Sequence, residues 1–349
     1  MIGMSKTVYV GLSGGVDSSV TALLLKEQGY RVVGAHMKNW SRDIAGFECP
    51  WQDDYQEARR LAAFLDIEFE LFDFEDQYHD KVVDYMINEF KSGRTPNPDV
   101  MCNQEIKFKL FLDKSLERGA DYIATGHYAR SNGSRLLQAK DADKDQTYFL
   151  YRIDGVAVAK TIFPLGDIHK DEVRVAARKA KLPNAERKES MGICFVGKVG
   201  IKDFLKEYIE AVPGNIVEDG QAIGQHEGAV FYTIGQRQGL GLGGGLPYYV
   251  IGKDMEKNEV YVTRDLNSKD LWTSELQLSM MHFINQPPQQ GQELLIRTRH
   301  RAPLIKAIYS AGQDGFCSLQ LEQPVRAATP GQSAVLYAGQ EVLGGGLVY

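Results

Sequence analysis

In the first 125 residues, apolar positions alternate between short dense runs and longer runs with helical spacing. The dense runs cover 7–12, 31–37, 67–72 and 122–125, and their β-branched and aromatic side chains predict buried strands. Between them, apolar residues recur every three to four positions over 18–28, 52–65, 77–90 and 105–116, which predicts amphipathic helices. Strands that alternate with helices indicate a parallel α/β sheet, in which ligands bind at the carboxyl ends of strands.

The pattern changes near residue 200, and from residue 215 onward short β-type runs are separated by Gly, Pro, Asn and Gln. Examples of these runs are 229–234, 248–251, 260–263, 294–298, 305–309, 317–321 and 333–337. A spacing of about ten residues with turn signals predicts small β-domains or a barrel. The segment 285–291, NQPPQQG, is expected to be a loop. We expect three domains, over residues 1–200, 201–266 and 267–349.

Composition excludes several classes of protein. The chain has 349 residues, 43% of them hydrophobic and 25% charged, which argues against a disordered protein. No apolar run approaches the ~20 residues that span a bilayer, and the N-terminus lacks a run of signal-peptide length. We therefore expect a cytoplasmic protein without a membrane partner.

Charge is distributed unevenly along the chain. The formal net charge is −6, but residues 1–100 hold 17 acidic and 10 basic side chains, whereas the rest is close to neutral. The acidic balance therefore disfavours only a non-specific polyanion binder. Arg297, Arg299 and Arg301 would share one face of a strand, where they could meet phosphates, although a solvated basic strand is the alternative.

The segment 11–18, GLSGGVDS, lies between the first predicted strand and the first predicted helix. Glycines allow the backbone N–H groups to approach a phosphate, and the helix N-terminus adds its positive dipole. Asp17 would repel a phosphate unless a divalent cation lay between them, which suggests an indirect Mg²⁺ site at Asp17. A glycine-rich turn that merely caps the helix is the alternative.

Two of the four cysteines lie in segments that could carry chemistry. Cys102 follows the polar residues Asn97 and Asp99, and Pro96 and Pro98 predict an extended loop before it. A helix N-terminus close to Cys102 would lower the pKa of its thiol. Cys194 lies between apolar neighbours, so a buried, inert thiol is the alternative for both. Cys49 and Cys317 are expected to be structural, and the absence of CxxC spacing disfavours a disulfide framework or a cysteine zinc site.

Taken together, these segments resemble two nested families. The string SGGVDS is similar to the PP-loop of ATP pyrophosphatases, which cleave ATP between its α- and β-phosphates. Over nearly its whole length, the chain resembles the tRNA-specific 2-thiouridylases of the MnmA/TrmU type. The matching segments are GLSGGVDSSV (11–20), MKNW (37–40), GRTPNPDVMCNQEIKF (93–108), ATGHYAR (124–130), KDQTYFL (144–150), GICFVG (192–197), GQRQGLGLGGG (235–245) and TPGQSAV (329–335). Gln238, where a basic residue is expected, and Ala124, where glycine is common, depart from the pattern.

The resemblance implies a fold, a reaction and its partners. The fold would be a doubly wound, Rossmann-like PP-loop domain of the HUP type, followed by a β-rich central tRNA-binding domain and a C-terminal β-barrel. The reaction would be ATP-dependent 2-thiolation of the wobble uridine of tRNA, through adenylation of the C2 oxygen. Glu, Gln and Lys acceptors would be the substrates, and a persulfide donor protein fed by a cysteine desulfurase would supply the sulfur.

The resemblance also assigns roles to residues. Cys194 would carry the persulfide, and Cys102 would either release hydrosulfide or resolve a Cys102–Cys194 disulfide. Asp99 would act as acid or base, with Asn97 and Pro98 at the target base. The contacts to ATP would come from Gly11, Leu12, Ser13, Gly14, Gly15, Val16, Asp17, Ser18, Met37 and Gly126. The contacts to tRNA would come from His127, Lys144, Asp145, Gln146, His300, Arg301 and Gln332.

Two other functions remain open at the level of sequence. A PP-loop ligase for a small molecule would need neither the two cysteines nor an RNA-binding β-domain. A non-catalytic RNA-binding protein would not need Ser13, Asp17 and Ser18, which are intact.

Overall fold

The N-terminal part of the molecule is a five-stranded parallel sheet. The computed structural model describes residues 5–44, 46, 48–188, 200–243, 245–313 and 315–349. The strands of this sheet are β1 (Thr7–Gly11), β2 (Arg31–Lys38), β3 (Glu68–Asp73), β4 (Tyr122–Ala124) and β7 (Thr161–Ile162). They lie in the order β3-β2-β1-β4-β7. The predicted parallel α/β sheet is therefore confirmed, and the carboxyl end of β1 lies at its centre.

Helices cover both faces of this sheet, and four of them are joined in pairs to form two longer continuous helices. They are α1 (Val16–Glu27), α2 (Trp51–Phe64), α3 (Glu75–Tyr78), α4 (Asp84–Lys91), α5 (Pro98–Met101), α6 (Phe111–Glu117), α7 (Gly155–Ala159), α8 (Lys170–Lys179) and α9 (Ile201–Lys206). A wider, π-type segment joins α3 to α4 over His79–Val83, and another joins α5 to α6 over Cys102–Leu110. Among the described residues, no helix is long and apolar enough to cross a membrane.

Alternation along β1 explains why both faces are covered. Tyr9 points into one apolar core, which includes side chains of α3 to α6, while Val8 and Val10 point into the other, with α1, α2 and α8. Successive strand residues face opposite sides of a sheet, so a fully apolar strand requires two covered faces.

A small second sheet follows the α/β part. Its order is β10-β11-β8-β9, and only the pair of β8 and β11 is parallel. The strands are β8 (Gly214–Glu218), β9 (Gln221–His226), β10 (Tyr249–Asp254) and β11 (Glu259–Thr263). The predicted strand at 229–234 is wrong, because the chain forms a single 3₁₀ turn there, Ala229–Phe231.

The C-terminal part is a closed antiparallel barrel. Its strands are β12 (Trp272–Phe283), β13 (Glu293–Arg297), β14 (Ile305–Ala311), β15 (Cys317–Arg326), β16 (Ser333–Ala338) and β17 (Glu341–Val348). They follow the order β12-β15-β14-β13-β16-β17, and pairing of β12 with β17 closes the ring. A hairpin from the α/β part, β5 (Arg130–Asn132) and β6 (Arg135–Leu137), adds to β17 and fastens the two parts together.

Candidate active site

The glycine-rich loop lies where β1 ends and α1 begins. Gly14 has a φ of +77°, a left-handed conformation that glycine adopts without strain, and Gly15 is extended at the N-cap of α1. The Ser18 hydroxyl donates to the Gly15 carbonyl oxygen at 3.0 Å. The loop therefore places the N-terminus of α1 at the carboxyl edge of the sheet, where its N–H groups suit an anion.

Two residues that the resemblance assigns to ATP, from distant segments, lie against this loop. A Cβ at Gly126 would lie 2.8 Å from the Ser18 nitrogen, so only glycine fits there. A Cβ at Gly11 would lie 3.1 Å from Cε of Met37. The fold thus gathers the loop, Met37 and Gly126 around one site, although their separation in sequence is large.

Sequence reasoning missed a second set of polar residues around the loop. Asn184 Nδ2 and Arg187 Nη1 donate to the Gly14 carbonyl oxygen at 2.8 and 3.2 Å. Arg187 also pairs with Asp54 at 2.5 Å. No local motif marks these residues, because only the packing of the segment after α8 onto the loop brings them there.

The carboxylate of Asp17 accepts hydrogen bonds from two side chains in this structure. The Lys170 ammonium donates to both of its oxygens, at 2.7 and 2.8 Å, and the Tyr128 hydroxyl donates to Oδ1 at 3.0 Å. The carboxylate is a ligand type that Mg²⁺ prefers, and Mg²⁺ commonly uses one or two carboxylates together with phosphate oxygens. The donor set therefore fits an indirect Mg²⁺ site, provided that Lys170 moves away from Asp17.

The extended loop before Cys102 is shorter than predicted, because it ends at Asn97. A helix begins at Pro98, whose missing N–H costs nothing at the first helical position, and Oδ1 of Asn97 caps it by accepting from the Asp99 N–H at 3.1 Å. Asp99 is thus in the first helical turn. Cys102 lies one turn further along, near the helix start as predicted, and its thiol is buried.

Burial shifts the pKa values of two side chains between this helix and the phosphate loop, Asp99 and His127. Burial raises the pKa of Asp99 above its usual range, and the positive charge of Lys107 offsets part of that rise. Burial lowers the pKa of His127 well below its usual range, and Lys107 lowers it further. The ring of Phe108 lies 5.6 Å from that of His127, the neighbour of Gly126. One helix therefore connects Asp99 and Cys102 to the side of the ATP-type site.

The segment before Asn97 is held by both β-domains. The Thr95 N–H donates to the Pro330 carbonyl oxygen at 2.9 Å, and Gln332 Nε2 donates to the Thr95 carbonyl oxygen at 2.7 Å. The hydroxyls of Thr95 and Thr233 lie 3.1 Å apart. Gln332, which the resemblance assigns to tRNA, thus binds the loop next to the candidate base site in this structure.

Other residues assigned to tRNA are also engaged within the protein. Asp145 is buried and pairs with Arg297 at 3.3 Å, so it does not offer a surface contact in this conformation. Gln146 Oε1 accepts from the Tyr128 N–H at 2.9 Å, and the His300 ring lies 4.6 Å from that of Phe149. Lys144 lies partly exposed beside them.

The prediction that three arginines share a strand face is wrong. Strand β13 ends at Arg297, and Arg301 has a φ of +63°, which a strand does not allow. Arg297 is enclosed by Asp145 and by the ring of Tyr337, whereas Arg299 donates to the Ala327 carbonyl oxygen. Only Arg299 and Arg301 remain exposed.

The cysteines divide into three cases. Burial raises the pKa of Cys49 and raises the pKa of Cys317 to about 11, which agrees with structural thiols. Cys102 is buried and lies one helical turn after Asp99 in the site. Cys194 lies outside the described residues, so its role as the persulfide carrier stays a prediction.

This fold and site define a PP-loop nucleotide enzyme with two appended β-domains. Three family models match consecutive parts of the chain: a tRNA methyl transferase HUP domain over 6–198, a tRNA methyl transferase PRC-barrel domain over 202–264, and an aminomethyltransferase beta-barrel domain over 273–348. The chain is 47% identical to a tRNA-specific 2-thiouridylase MnmA of Enterococcus faecalis, covering 99% of this chain and 96% of that one. It is 45% identical to the protein of that name from Bacillus subtilis, covering 98% and 94%.

The chain therefore belongs to the MnmA family of tRNA-specific 2-thiouridylases. Among solved structures, a 4-thiouridine synthetase–RNA complex with bound ATP is similar at a TM-score of 0.38 and 16% identity, over 58% of this chain and 50% of that one. A likeness at that level adds nothing to the assignment.

Proposed function

We propose that this protein is a tRNA-uridine 2-sulfurtransferase, which replaces the C2 oxygen of the wobble uridine with sulfur at the expense of ATP. The observation that supports the proposal is that the Cys102 segment and the glycine-rich loop lie next to each other in the structure. The helix with Asp99 and Cys102 packs, through Phe108 and His127, beside the glycine-rich loop. A nucleotide-activating loop and a thiol would then act on the same base.

Activation comes first in the proposed reaction. A ring carbonyl oxygen is a poor leaving group, and its transfer to the α-phosphate of ATP makes it part of AMP. The uridine O2 attacks the α-phosphorus, and pyrophosphate leaves from the phosphate loop. Met37 would contact the adenine, because a methionine is apolar and adapts to a ring. Mg²⁺ would neutralise phosphate charge, and Asp17 is the residue that would hold it indirectly.

Sulfur transfer follows at the activated carbon. The terminal sulfur of a persulfide on Cys194 attacks C2, and AMP leaves with the former uridine oxygen. Cys102 then attacks the remaining S–S bond, which leaves sulfur on C2 and forms a Cys102–Cys194 disulfide that a reductant resets. In the other route, Cys102 attacks first and hydrosulfide becomes the nucleophile. Both routes need the Cys102 thiolate.

Asp99 is the proposed proton acceptor at the base. Removal of the N3 proton makes O2 a stronger nucleophile, and a carboxylate whose pKa is raised by burial is a better base for this step than an ordinary aspartate. Asn97 and Pro98 would hold the extruded base, which must leave its stack to reach the site.

The partners follow from the proposed reaction. tRNA is the substrate, with Glu, Gln and Lys acceptors, and a persulfide donor protein fed by a cysteine desulfurase supplies sulfur. His127, Lys144, Asp145, Gln146, His300, Arg301 and Gln332 remain proposed tRNA contacts, of which Asp145 and Gln332 would have to change partners. The proposed domains are 1–200, 201–266 and 267–349, and the proposed location is the cytoplasm.

Mass analysis of tRNA nucleosides tests the proposal. Purified protein is incubated with unmodified tRNA, ATP, Mg²⁺ and a donor whose persulfide has been verified. We expect 2-thiouridine only when both ATP and donor are present. Its absence would contradict the proposal, and ATP–pyrophosphate exchange that needs a small amine or acid rather than tRNA would favour a ligase.

A further inference from the structure

Lys170 is a buried lysine that points at the phosphate loop. Lys170 is only 8% exposed, and its ammonium donates to both carboxylate oxygens of Asp17. Its own backbone N–H donates to Asp141 Oδ2 at 2.9 Å, which fixes the start of α8 beside the loop. The side chain therefore extends from a rigid anchor into the site.

Its position in α8 opposes ordinary helix energetics. Lys170 is the first residue of the helix, where the macrodipole favours acidic side chains, and Asp171 and Glu172 follow that rule. A cation is thus retained at an unfavourable position. Because the net gain from a partly buried ion pair is small, stabilisation by Asp17 alone is a weak reason for it.

The loop also lacks a cation of its own. The string GLSGGVDS contains no lysine or arginine, whereas other phosphate loops carry a lysine that reaches the terminal phosphates. Arg187, another cation near the loop, is held by Asp54 and by the Gly14 carbonyl oxygen. Lysine, with a flexible stem and a compact charge, changes partners more easily than such a forked arginine.

Asp17 would keep a donor if Lys170 left. The Tyr128 hydroxyl contacts Asp17 Oδ1, and the Lys170 ammonium lies 5.6 Å from the centre of the same tyrosine ring. If the ammonium turned toward a phosphate on the loop, Tyr128 would therefore continue to donate to Asp17.

We propose that Lys170 is a nucleotide-binding residue that is held on Asp17 in the free protein and transfers to the β- and γ-phosphates when ATP occupies the loop. The inference rests on the proposed function, because pyrophosphate is the leaving group of that reaction. Lys170 would then stabilise the charge that develops on the departing pyrophosphate.

Equilibrium binding in EDTA tests the assignment without turnover. Binding of α,β-methylene-ATP, inorganic pyrophosphate and AMP is measured by calorimetry for wild type, Lys170→Met and the control Lys179→Met, an exposed lysine of the same helix. We expect Lys170→Met to weaken the first two ligands at least about tenfold and AMP less than about twofold, because a charge-assisted hydrogen bond to phosphate is lost. The control should match wild type. Equal weakening for all three ligands, or none, would overturn the assignment.

The double variant Asp17→Asn with Lys170→Met separates contact from neutralisation. The double variant leaves neither partner of the ion pair charged, so it can replace Lys170→Met in the binding measurements if that single variant fails to fold. Pyrophosphate binding that stays weak supports direct contact, whereas recovery to the wild-type value would mean that Lys170 only neutralises Asp17. Formation of 2-thiouridine by wild type is measured in parallel, so failure of the proposed function is seen separately.

Discussion

At the scale of single residues, the proposed chemistry depends on two side chains of one helix. Burial raises the pKa of Asp99, the proposed base, and Lys107 limits that rise. Cys102 is buried in the free protein, one helical turn after Asp99. Both would meet a base that has been extruded from the tRNA.

The pH dependence of thiolation should report the carboxylate of Asp99. The rate should fall as pH decreases through the raised pKa of Asp99, above the usual value of about 3.9. Lys107→Met removes a charge that favours the carboxylate, so the acidic limb of the single-turnover rate should move to higher pH. Lys109→Met, on the exposed side of the same helix, is the control. An unchanged limb, or one at lower pH, would contradict this role of Asp99.

Loss of the Cys102 thiol should separate activation from sulfur transfer. Cys102→Ser should abolish 2-thiouridine formation while tRNA-dependent release of pyrophosphate continues, because the phosphate loop is intact. Cys317→Ser is the matched control, since that thiol is buried in the barrel core. Thiolation by Cys102→Ser at the wild-type rate would refute the assignment. The readouts are nucleoside mass analysis and a pyrophosphate assay.

At the scale of elements, contacts between distant segments hold the barrel on the α/β part. Asp145 lies in the segment before Thr147–Phe149, and it accepts from the Ala139 N–H at 3.1 Å and the Thr147 hydroxyl at 2.9 Å. Arg297, at the end of β13, supplies its positive partner. This pair joins two parts of the fold beside His300.

Arg297→Met should therefore be strongly destabilising. It leaves the charge of Asp145 buried without its ion-pair partner, at a cost of about 3–5 kcal/mol in the free energy of unfolding. Adding Asp145→Asn should recover part of that loss, because no buried charge then remains. Urea unfolding of the wild type, of Arg297→Met and of the double variant measures both changes in the free energy of unfolding. An effect below about 1 kcal/mol for Arg297→Met, as for an exposed pair, would show that the pair is not desolvated.

Local pattern predicted some elements and missed others for physical reasons. Strand β1 and the glycine-rich loop were predicted, because a dense apolar run and a motif mark them locally. The hairpin of β5 and β6 was missed, since its short polar strands are stabilised by β17, some 200 residues away. Strand β12 was missed because exposed polar and apolar residues alternate irregularly along it.

The site was predictable only where motifs are contiguous. The loop at 11–18 and the 95–108 segment carry their own signals, whereas Lys170, Asn184 and Arg187 reach the loop through tertiary packing alone. Strand alternation failed for Arg299 and Arg301 because β13 ends before them. The helix start at Pro98 was missed because proline disrupts a helix interior but is well tolerated at the first helical position.

At the scale of the whole molecule, the account requires tRNA to contact more than one domain. Binding should then be strongly salt-dependent, because each neutralised phosphate releases counterions. We expect a slope of log K against log salt of about −3 or steeper, as for four or more phosphate contacts. Filter binding of tRNA from low to physiological salt measures this slope. We expect Arg299→Ala and Arg301→Ala to make the slope less steep. Arg178→Ala is the control, because Arg178 is paired with Glu186. A flat response would contradict phosphate recognition.

In the proposed reaction, ATP activates the C2 oxygen of uridine, and an isotope label on that oxygen reports where it goes. tRNA that carries ¹⁸O at the uridine C2 position is thiolated with ATP and a persulfide donor, and the AMP released is analysed by mass spectrometry. The account predicts one ¹⁸O atom in AMP for each 2-thiouridine formed. Unlabelled AMP from a reaction that still yields 2-thiouridine would contradict it.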